Sequence, residues 1–145
     1  MRYGSVYLVV RDFHKSLDFY ENLLEMKISA TNGERFAVFN NDGLNLCLLN
    51  GYYDSEHLEQ VETKGEAYPI YDDTTAIANS ENNRKVFINL CVPDLQKEYD
   101  RIAGLGIANE LTPIRYLNVF SPYWYFTFMD PDGNPIEITG AYEKD

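Results

Sequence analysis

The sequence predicts an α+β protein made of a tandem βαβββ duplication. Two observations lead to this fold class. First, residues 87–95 repeat residues 5–13 without a gap, so that three aliphatic positions and the following aspartate coincide. Second, the Asp-Gly pairs at 42–43 and 132–133 stand in one ungapped register, each ahead of a short apolar run. A strand, a helix cap and a hairpin therefore occur twice, in the same order.

The first module is predicted at residues 1–50. Residues 3–10 alternate and are rich in β-forming types, Asp12 is a suitable N-cap, and apolar residues then recur at helical spacing through Met26. Three β-rich stretches follow, at 27–31, 35–39 and 44–49. Asn-Gly and Asp-Gly turn signals separate them, so the predicted order is β-α-β-β-β.

The second module is predicted at residues 85–145, after an acidic linker over 51–84. The linker has eight acidic residues against two basic ones and no regular period, which is unusual for a long segment inside a domain. A strand resumes at 86–92, and a helix follows to Leu105. The remaining strands end in a hairpin over 124–138 that turns at Pro-Asp-Gly. At 145 residues, the modules and linker are expected to form one compact domain.

Composition limits the classes of partner. Asp plus Glu outnumber Lys plus Arg by 23 to 12, and the formal net charge is −11. Nucleic acid and anionic membrane surfaces both require a basic face, so neither is expected as a partner. A cationic small molecule would be attracted, although acidity of this degree also serves solubility alone. Cys47 and Cys91 lack CxxC spacing and are interpreted as reduced thiols. Since the N-terminus shows no signal-peptide pattern, a cytoplasmic location is predicted.

Strand alternation separates an aliphatic face from a mixed face in both modules. On the strands that begin near residues 5, 87 and 135, alternate positions are wholly aliphatic, as expected for a face covered by a helix. The opposite positions mix polar and aromatic side chains, which suits a concave binding surface. They include Ser5, Tyr7, Phe87, Asn89 and Glu137. Glu137 is either a solvated residue on an exposed face or an inward ligand or acid.

Three motifs resemble the vicinal oxygen chelate superfamily, which includes glyoxalase I, extradiol dioxygenases, fosfomycin-modifying enzymes and bleomycin resistance proteins. They are Val-Val-Arg-Asp-Phe-His-Lys-Ser-Leu-Asp-Phe-Tyr at 9–20, Val-Pro-Asp-Leu at 92–95 and Phe-Met-Asp-Pro-Asp-Gly-Asn-Pro-Ile-Glu-Ile at 128–138. The resemblance implies a homodimer of paired modules, whose curved mixed sheets surround a cavity within one chain or across the dimer. It also implies the residues that line this cavity: Ser5, Tyr7, Cys47, Phe87, Asn89, Trp124 and Glu137.

Metal-dependent members of that superfamily carry one His or Glu ligand on each of four strands. The corresponding positions here are Ser5, Cys47, Phe87 and Glu137. Only Glu137 keeps a ligand type, whereas a divalent ion that acts as a Lewis acid needs about three N, O or S ligands in fixed geometry. Neither a family-type metal nor another cofactor is therefore expected.

The first functional prediction is metal-independent binding of a small organic molecule. The resemblance to bleomycin resistance proteins points to sequestration of a cationic aromatic compound such as an antibiotic. Glu137 would pair with an amine. The aromatic side chains that would stack on a planar ligand or hold a cation are Tyr7, Phe87, Tyr123, Trp124 and Tyr125. The alternative is a divergent glyoxalase-type lyase or isomerase, or a dioxygenase-type enzyme, in which Glu137 acts as a general base. A non-catalytic interaction or sensor module is a third interpretation, because fold alone does not choose among them.

Overall fold

The structure of the chain is a computed structural model that describes residues 1–61, 74–118 and 121–143. It divides into two compact units, Met1–Glu81 and Asn82–Asp145. Each unit contains one four-stranded mixed sheet and follows the order β-α-β-β-β, which confirms the predicted α+β class. Within the described ranges, no helix combines the length and the apolar composition that a membrane crossing requires.

The first unit begins with the five elements that the sequence predicts. They are β1 (Val6–Val10), α1 (Phe13–Leu24), β2 (Ala30–Asn32), β3 (Phe36–Asn41) and β4 (Leu44–Asn50). The sheet order is β1-β4-β3-β2, with β1 parallel to β4 and the other pairs antiparallel. Asp12 starts α1, because its carboxylate accepts a hydrogen bond from the Lys15 backbone N–H at 3.0 Å.

The core of the first unit lies between α1 and one face of this sheet. The helix contributes Phe13, Phe19, Tyr20 and Leu23, all buried at helical spacing. The sheet contributes Ala37, Phe39, Leu46 and Leu48. The apolar face of the helix and the apolar face of the sheet bury each other from water. The opposite face of the sheet is therefore left for other contacts.

Of the described parts of the predicted linker, residues 51–61 and 74–81 belong to the first unit, whereas Asn82 and Arg84 contact Asn134 and Glu110 of the second unit. Three short elements occur here: α2 (Tyr53–Glu56), a 3₁₀ turn (Leu58–Gln60) and α3 (Thr74–Asn79). The hydroxyls of Thr74 and Thr75 donate to the Gly51 carbonyl at 3.0 and 3.1 Å. A Cβ atom at Gly51 would lie 2.4 Å from that of Ala78, so glycine permits this close approach of α3. Residues 62–73 of the linker lie outside the described ranges.

The second unit repeats the topology of the first. Its elements are β5 (Ile88–Val92), α4 (Leu95–Leu105), β6 (Arg115–Asn118), β7 (Pro122–Met129) and β8 (Pro135–Gly140). The sheet order is β5-β8-β7-β6, with β5 parallel to β8. Asp94 caps α4 by accepting from the Lys97 backbone N–H at 3.0 Å, as Asp12 caps α1. The two aspartates that coincide in the sequence repeat therefore have the same structural role.

A buried aspartate fixes the turn between β7 and β8. The Asp130 carboxylate accepts from the backbone N–H groups of Asp132 and Asn134 at 2.9 and 2.8 Å, and from the Asn134 side-chain amide at 2.8 Å. Gly133 takes a φ of 80° in this turn, a value that glycine adopts without strain. The turn fixes the register of β8, and with it the face to which Glu137 points.

Candidate functional site

Three polar side chains meet on one face of the second unit's sheet. The Glu137 Oε1 atom accepts a hydrogen bond from the Tyr123 hydroxyl at 2.8 Å and another from the Asn89 side-chain amide at 2.8 Å. The same Asn89 nitrogen also donates to the Tyr123 oxygen at 3.0 Å. We refer to Asn89, Tyr123 and Glu137 as the carboxylate cluster.

Strand pairing brings the cluster together. Asn89 on β5 and Glu137 on β8 are direct partners in the parallel pair, so their side chains point to the same face. Tyr123 lies on β7, two residues before Tyr125, which pairs with Thr139. Its long side chain reaches along the sheet to Glu137. The sequence predicts that Asn89 and Glu137 share one kind of face, and in the structure the two side chains form a hydrogen bond.

The hydrogen bonds of the cluster leave one carboxylate oxygen available. The phenolic hydrogen of Tyr123 is used on Glu137, and the Asn89 amide nitrogen lies within hydrogen-bond distance of both the carboxylate and the phenol oxygen. Asn89 and Tyr123 both donate to Oε1 of Glu137, and Oε2 has no hydrogen-bond partner among the described residues. Glu137 is itself partly exposed. The cluster thus presents a fixed carboxylate with one open acceptor atom.

Tyr123 acts as a donor to Glu137 over a wide pH range. Burial raises the pKa of the Tyr123 phenol above its ordinary value of 10.0, and its hydrogen bond to Glu137 raises it further. Both effects disfavour a phenolate, the first because ionisation would place a charge in a poorly solvated position. At neutral pH, the hydroxyl therefore remains protonated and continues to orient the carboxylate.

Other side chains of the same face surround the cluster. Tyr125 lies on β7 next to Tyr123, with a ring-centroid distance of 5.8 Å, and it pairs across the sheet with Thr139 of β8. Cys91 is exposed on β5 beside Asn89, whose side-chain oxygen lies 3.8 Å from its Sγ. Phe87, another residue predicted to line the cavity, immediately precedes β5 and is 52% exposed. This face therefore combines aromatic surface with a few polar groups.

Trp124 does not join the carboxylate cluster, contrary to the sequence-based selection. It alternates with Tyr123 and Tyr125 along β7, so its side chain lies on the opposite face of the sheet. There its ring is 4.9 Å from that of Tyr116 and 4.9 Å from that of Tyr142. Period-two alternation could have found this, because Trp124 has the same parity as the buried Phe126 and Phe128. Trp124 is part of an aromatic layer on the helix side.

The remaining selected residues share a face within the first unit. Tyr7 of β1 pairs directly with Cys47 of β4, which is the position that corresponds to the Asn89 and Glu137 pair in the second unit. Cys47 is 3% exposed, and burial raises the pKa of its thiol, an effect that a hydrogen bond with Ser5 partly opposes. Ser5, Tyr7 and Cys47 are therefore neighbours in the first unit. Cys47, a buried thiol, thus occupies the position in the first unit that Glu137 occupies in the second.

The donor atoms around Glu137 do not fit a divalent metal of the family type. Its contacts are a neutral amide and a protonated phenol, and Phe87 at a second corresponding strand position has no donor atom. The described ranges contain no group of three or more His, Cys, Asp or Glu side chains that could hold an ion. Because such a site needs about three ligands in fixed geometry, we assign no chemical step to a metal.

Two βαβββ units with mixed four-stranded sheets define a protein of the glyoxalase and bleomycin resistance fold class. The chain belongs to the Glyoxalase/Bleomycin resistance protein/Dioxygenase superfamily, whose family model matches residues 2–138. This match confirms the resemblance that the three sequence motifs indicated.

Individual proteins are similar to this chain in sequence or in fold. The uncharacterized protein YraH of Bacillus subtilis (strain 168) is 29% identical over 139 residues, covering 95% of this chain and 97% of YraH. Lactoylglutathione lyase from Agrobacterium tumefaciens is 14% identical with a TM-score of 0.61, covering 97% of this chain and 93% of that one. The fosfomycin resistance protein FosX from Listeria monocytogenes is 16% identical with a TM-score of 0.61, covering 98% and 94%. At these identities, the two solved structures establish the fold alone.

Proposed function

We propose that the protein binds a small organic molecule on the Glu137 face of its second unit, without a metal. The observation that carries this proposal is the open Oε2 atom of Glu137. Asn89 and Tyr123 hold the carboxylate in place through hydrogen bonds to its other oxygen, Oε1. An oriented carboxylate with one unused oxygen is a strong acceptor for a donor group, above all for a protonated amine. The ligand class that we propose is therefore an aromatic compound with an amine.

Aromatic side chains and net charge support this ligand class. Tyr125 and Phe87 lie on or at the edge of the same face, and their rings offer surface for stacking and for cation–π contacts. The net charge of −11 favours the approach of a cation over that of an anion. Sequestration of a cationic aromatic antibiotic by a cytoplasmic homodimer is the specific form of this proposal.

The proposal is tested by titrating the protein with 4-phenylbenzylamine, a biphenyl probe with one ammonium group, in a calorimeter. We expect Glu137→Gln to weaken binding by about tenfold or more, since a charge-assisted hydrogen bond contributes about 1.5–3 kcal/mol. Glu143→Gln is the matched control, because it removes the same charge from an exposed residue that lines a separate cleft beside α4. Equal affinities for the wild type and Glu137→Gln would contradict the proposal.

An enzymatic function is the second candidate, and the same open oxygen favours it. Glu137 Oε2 could accept a proton from a carbon acid while Tyr123 and Asn89 hold the carboxylate in place. Lactoylglutathione is a suitable first test compound, because a lactoylglutathione lyase shares the fold. Turnover that disappears in Glu137→Gln would make the protein an enzyme, whereas turnover that persists in this variant would exclude Glu137 as its base.

A further inference from the structure

Arg115 lies on the same face as the carboxylate cluster, at the opposite edge of the sheet. It is the first residue of the edge strand β6 and pairs directly with Tyr125 of β7, which in turn pairs with Thr139 of β8. Directly paired residues point to the same face, and so do residues two apart along one strand. Arg115, Tyr125, Thr139 and Glu137 therefore lie on one face.

The distance from Arg115 to Glu137 follows from the sheet geometry. Two strand spacings of about 4.8 Å separate β6 from β8. Glu137 lies two residues from Thr139 on β8, which adds about 7 Å along the strand. The two Cα atoms are thus about 12 Å apart in a flat approximation. Since the arginine side chain is long and Arg115 is exposed, its guanidinium can reach a ligand that lies along the tyrosine rings between the two positions.

Arg115 differs from the paired arginines of the chain. Arg35 contacts Asp54 at 2.8 Å, and Arg84 contacts Glu110 at 3.1 Å. Arg115 is exposed and has no ion pair or hydrogen bond within the part of the chain that the structure describes. Acidic residues outnumber basic ones almost twofold in this protein, yet none of the described carboxylates pairs with this guanidinium. Its five donors suit a planar oxyanion such as a carboxylate.

We infer that the ligand of this face is bipolar. A carboxylate or similar oxyanion at one end binds Arg115, a protonated amine at the other end binds Glu137 Oε2, and a planar apolar middle section lies along Tyr125 and Tyr123. The inference rests on the proposed function and adds an anionic group to the ligand that Glu137 alone would select. It also makes Arg115 the residue that distinguishes a bipolar compound from a simple aromatic amine.

Two matched probes test the inference on the full chain. The bipolar probe is 4′-(aminomethyl)biphenyl-4-carboxylate, whose two charged ends lie about as far apart as the Cα atoms of Arg115 and Glu137. The second probe is 4-phenylbenzylamine, which lacks only the carboxylate. The measured quantity is the ratio of their affinities by calorimetry at low salt. We expect the wild type to bind the bipolar probe about fivefold more tightly, as for one partly exposed ion pair.

Arg115→Gln should reduce this ratio to about one, and Arg115→Lys should restore part of it, since lysine keeps the charge but not the planar donor geometry. Lys97→Gln is the control, because it removes one positive charge from α4, which packs on the opposite face of the sheet, and should keep the fivefold ratio. A ratio near one in the wild type, or a ratio that Arg115→Gln leaves unchanged, would overturn the inference.

The outcome for the proposed function can be separated from this result. Binding of 4-phenylbenzylamine that depends on Glu137, combined with a ratio that is insensitive to Arg115, would retain amine recognition and reject the bipolar ligand. Binding of both probes that is insensitive to Glu137→Gln would reject the proposed function itself, and the bipolar ligand with it.

Discussion

The Tyr123 hydroxyl donates a hydrogen bond to Glu137 Oε1 at 2.8 Å, across two neighbouring strands of the second sheet. This contact leaves the other carboxylate oxygen open and fixes the direction in which it points. The neighbouring Tyr125 lies on the same face, but its hydroxyl has no hydrogen bond within the described ranges. The two tyrosines therefore provide a matched pair for measuring what the Glu137 contact contributes.

Tyr123→Phe should lower the free energy of unfolding by about 1–2 kcal/mol, because it removes a partly buried hydrogen bond to a charged group. Tyr125→Phe removes a hydroxyl from the same strand and face and should change stability by less than about 0.5 kcal/mol. Urea denaturation followed by circular dichroism measures both values. Equal effects of the two substitutions would show that the Glu137 contact adds no stability.

The stability difference between the wild type and Tyr123→Phe should depend on pH. Because the pKa of Tyr123 is raised in the folded state, the unfolded chain loses this proton first as the pH rises. The contribution of Tyr123 is therefore complete below about pH 10, the ordinary tyrosine value, and is lost at higher pH as the folded phenol ionises. Denaturation at pH 8 and at pH 10.5 tests this, and a difference that grows with pH would contradict the raised pKa.

The two cysteines should react with thiol reagents at different rates. Cys91 is exposed, whereas Cys47 is buried and burial raises the pKa of its thiol, so less of the reactive thiolate is present at pH 8. In native protein, 5,5′-dithiobis(2-nitrobenzoate) should modify one thiol quickly and the second only after denaturant is added. Cys91→Ser should remove the fast phase, and its persistence in that variant would contradict the assignment.

Gly140→Ala should destabilise the second unit by about 1–3 kcal/mol, the usual cost of an added methyl group without space. A Cβ atom at Gly140 would lie 2.3 Å from the Val92 backbone oxygen on the paired strand β5, and backbone cannot move aside as a flexible side chain can. Gly104→Ala is the control: it lies near the end of α4 with open space around it and should stabilise by up to about 1 kcal/mol. Thermal unfolding of both variants measures the contrast.

Native mass spectrometry with and without nickel, zinc and iron(II) tests the predicted homodimer and the predicted independence from metal. We expect a dimer. We also expect no stoichiometric metal, since the contacts of Glu137 are an amide and a phenol. Metal at one ion per chain that disappears in Glu137→Ala would contradict this expectation and would favour the enzymatic candidate. A monomer at micromolar concentration would contradict the dimer.

The sequence by itself determined the fold class and the elements that define it. Helix caps, turn residues and hydrophobic periods are local features, because each depends on residues within a few positions of one another. Asp12 and Asp94 cap their helices as expected, and the Pro-Asp-Gly turn closes the last hairpin. The repeat also placed Asn89 and Glu137 on a common face, since strand alternation carries across equivalent strands.

Only the tertiary structure decided which residues surround Glu137. Tyr123 reaches it from β7, and Arg115 shares its face from the far edge strand β6, although no local pattern connects these positions. Pairing register and side-chain reach depend on contacts between segments distant in sequence, so local periodicity predicts the faces of a strand but not its neighbours.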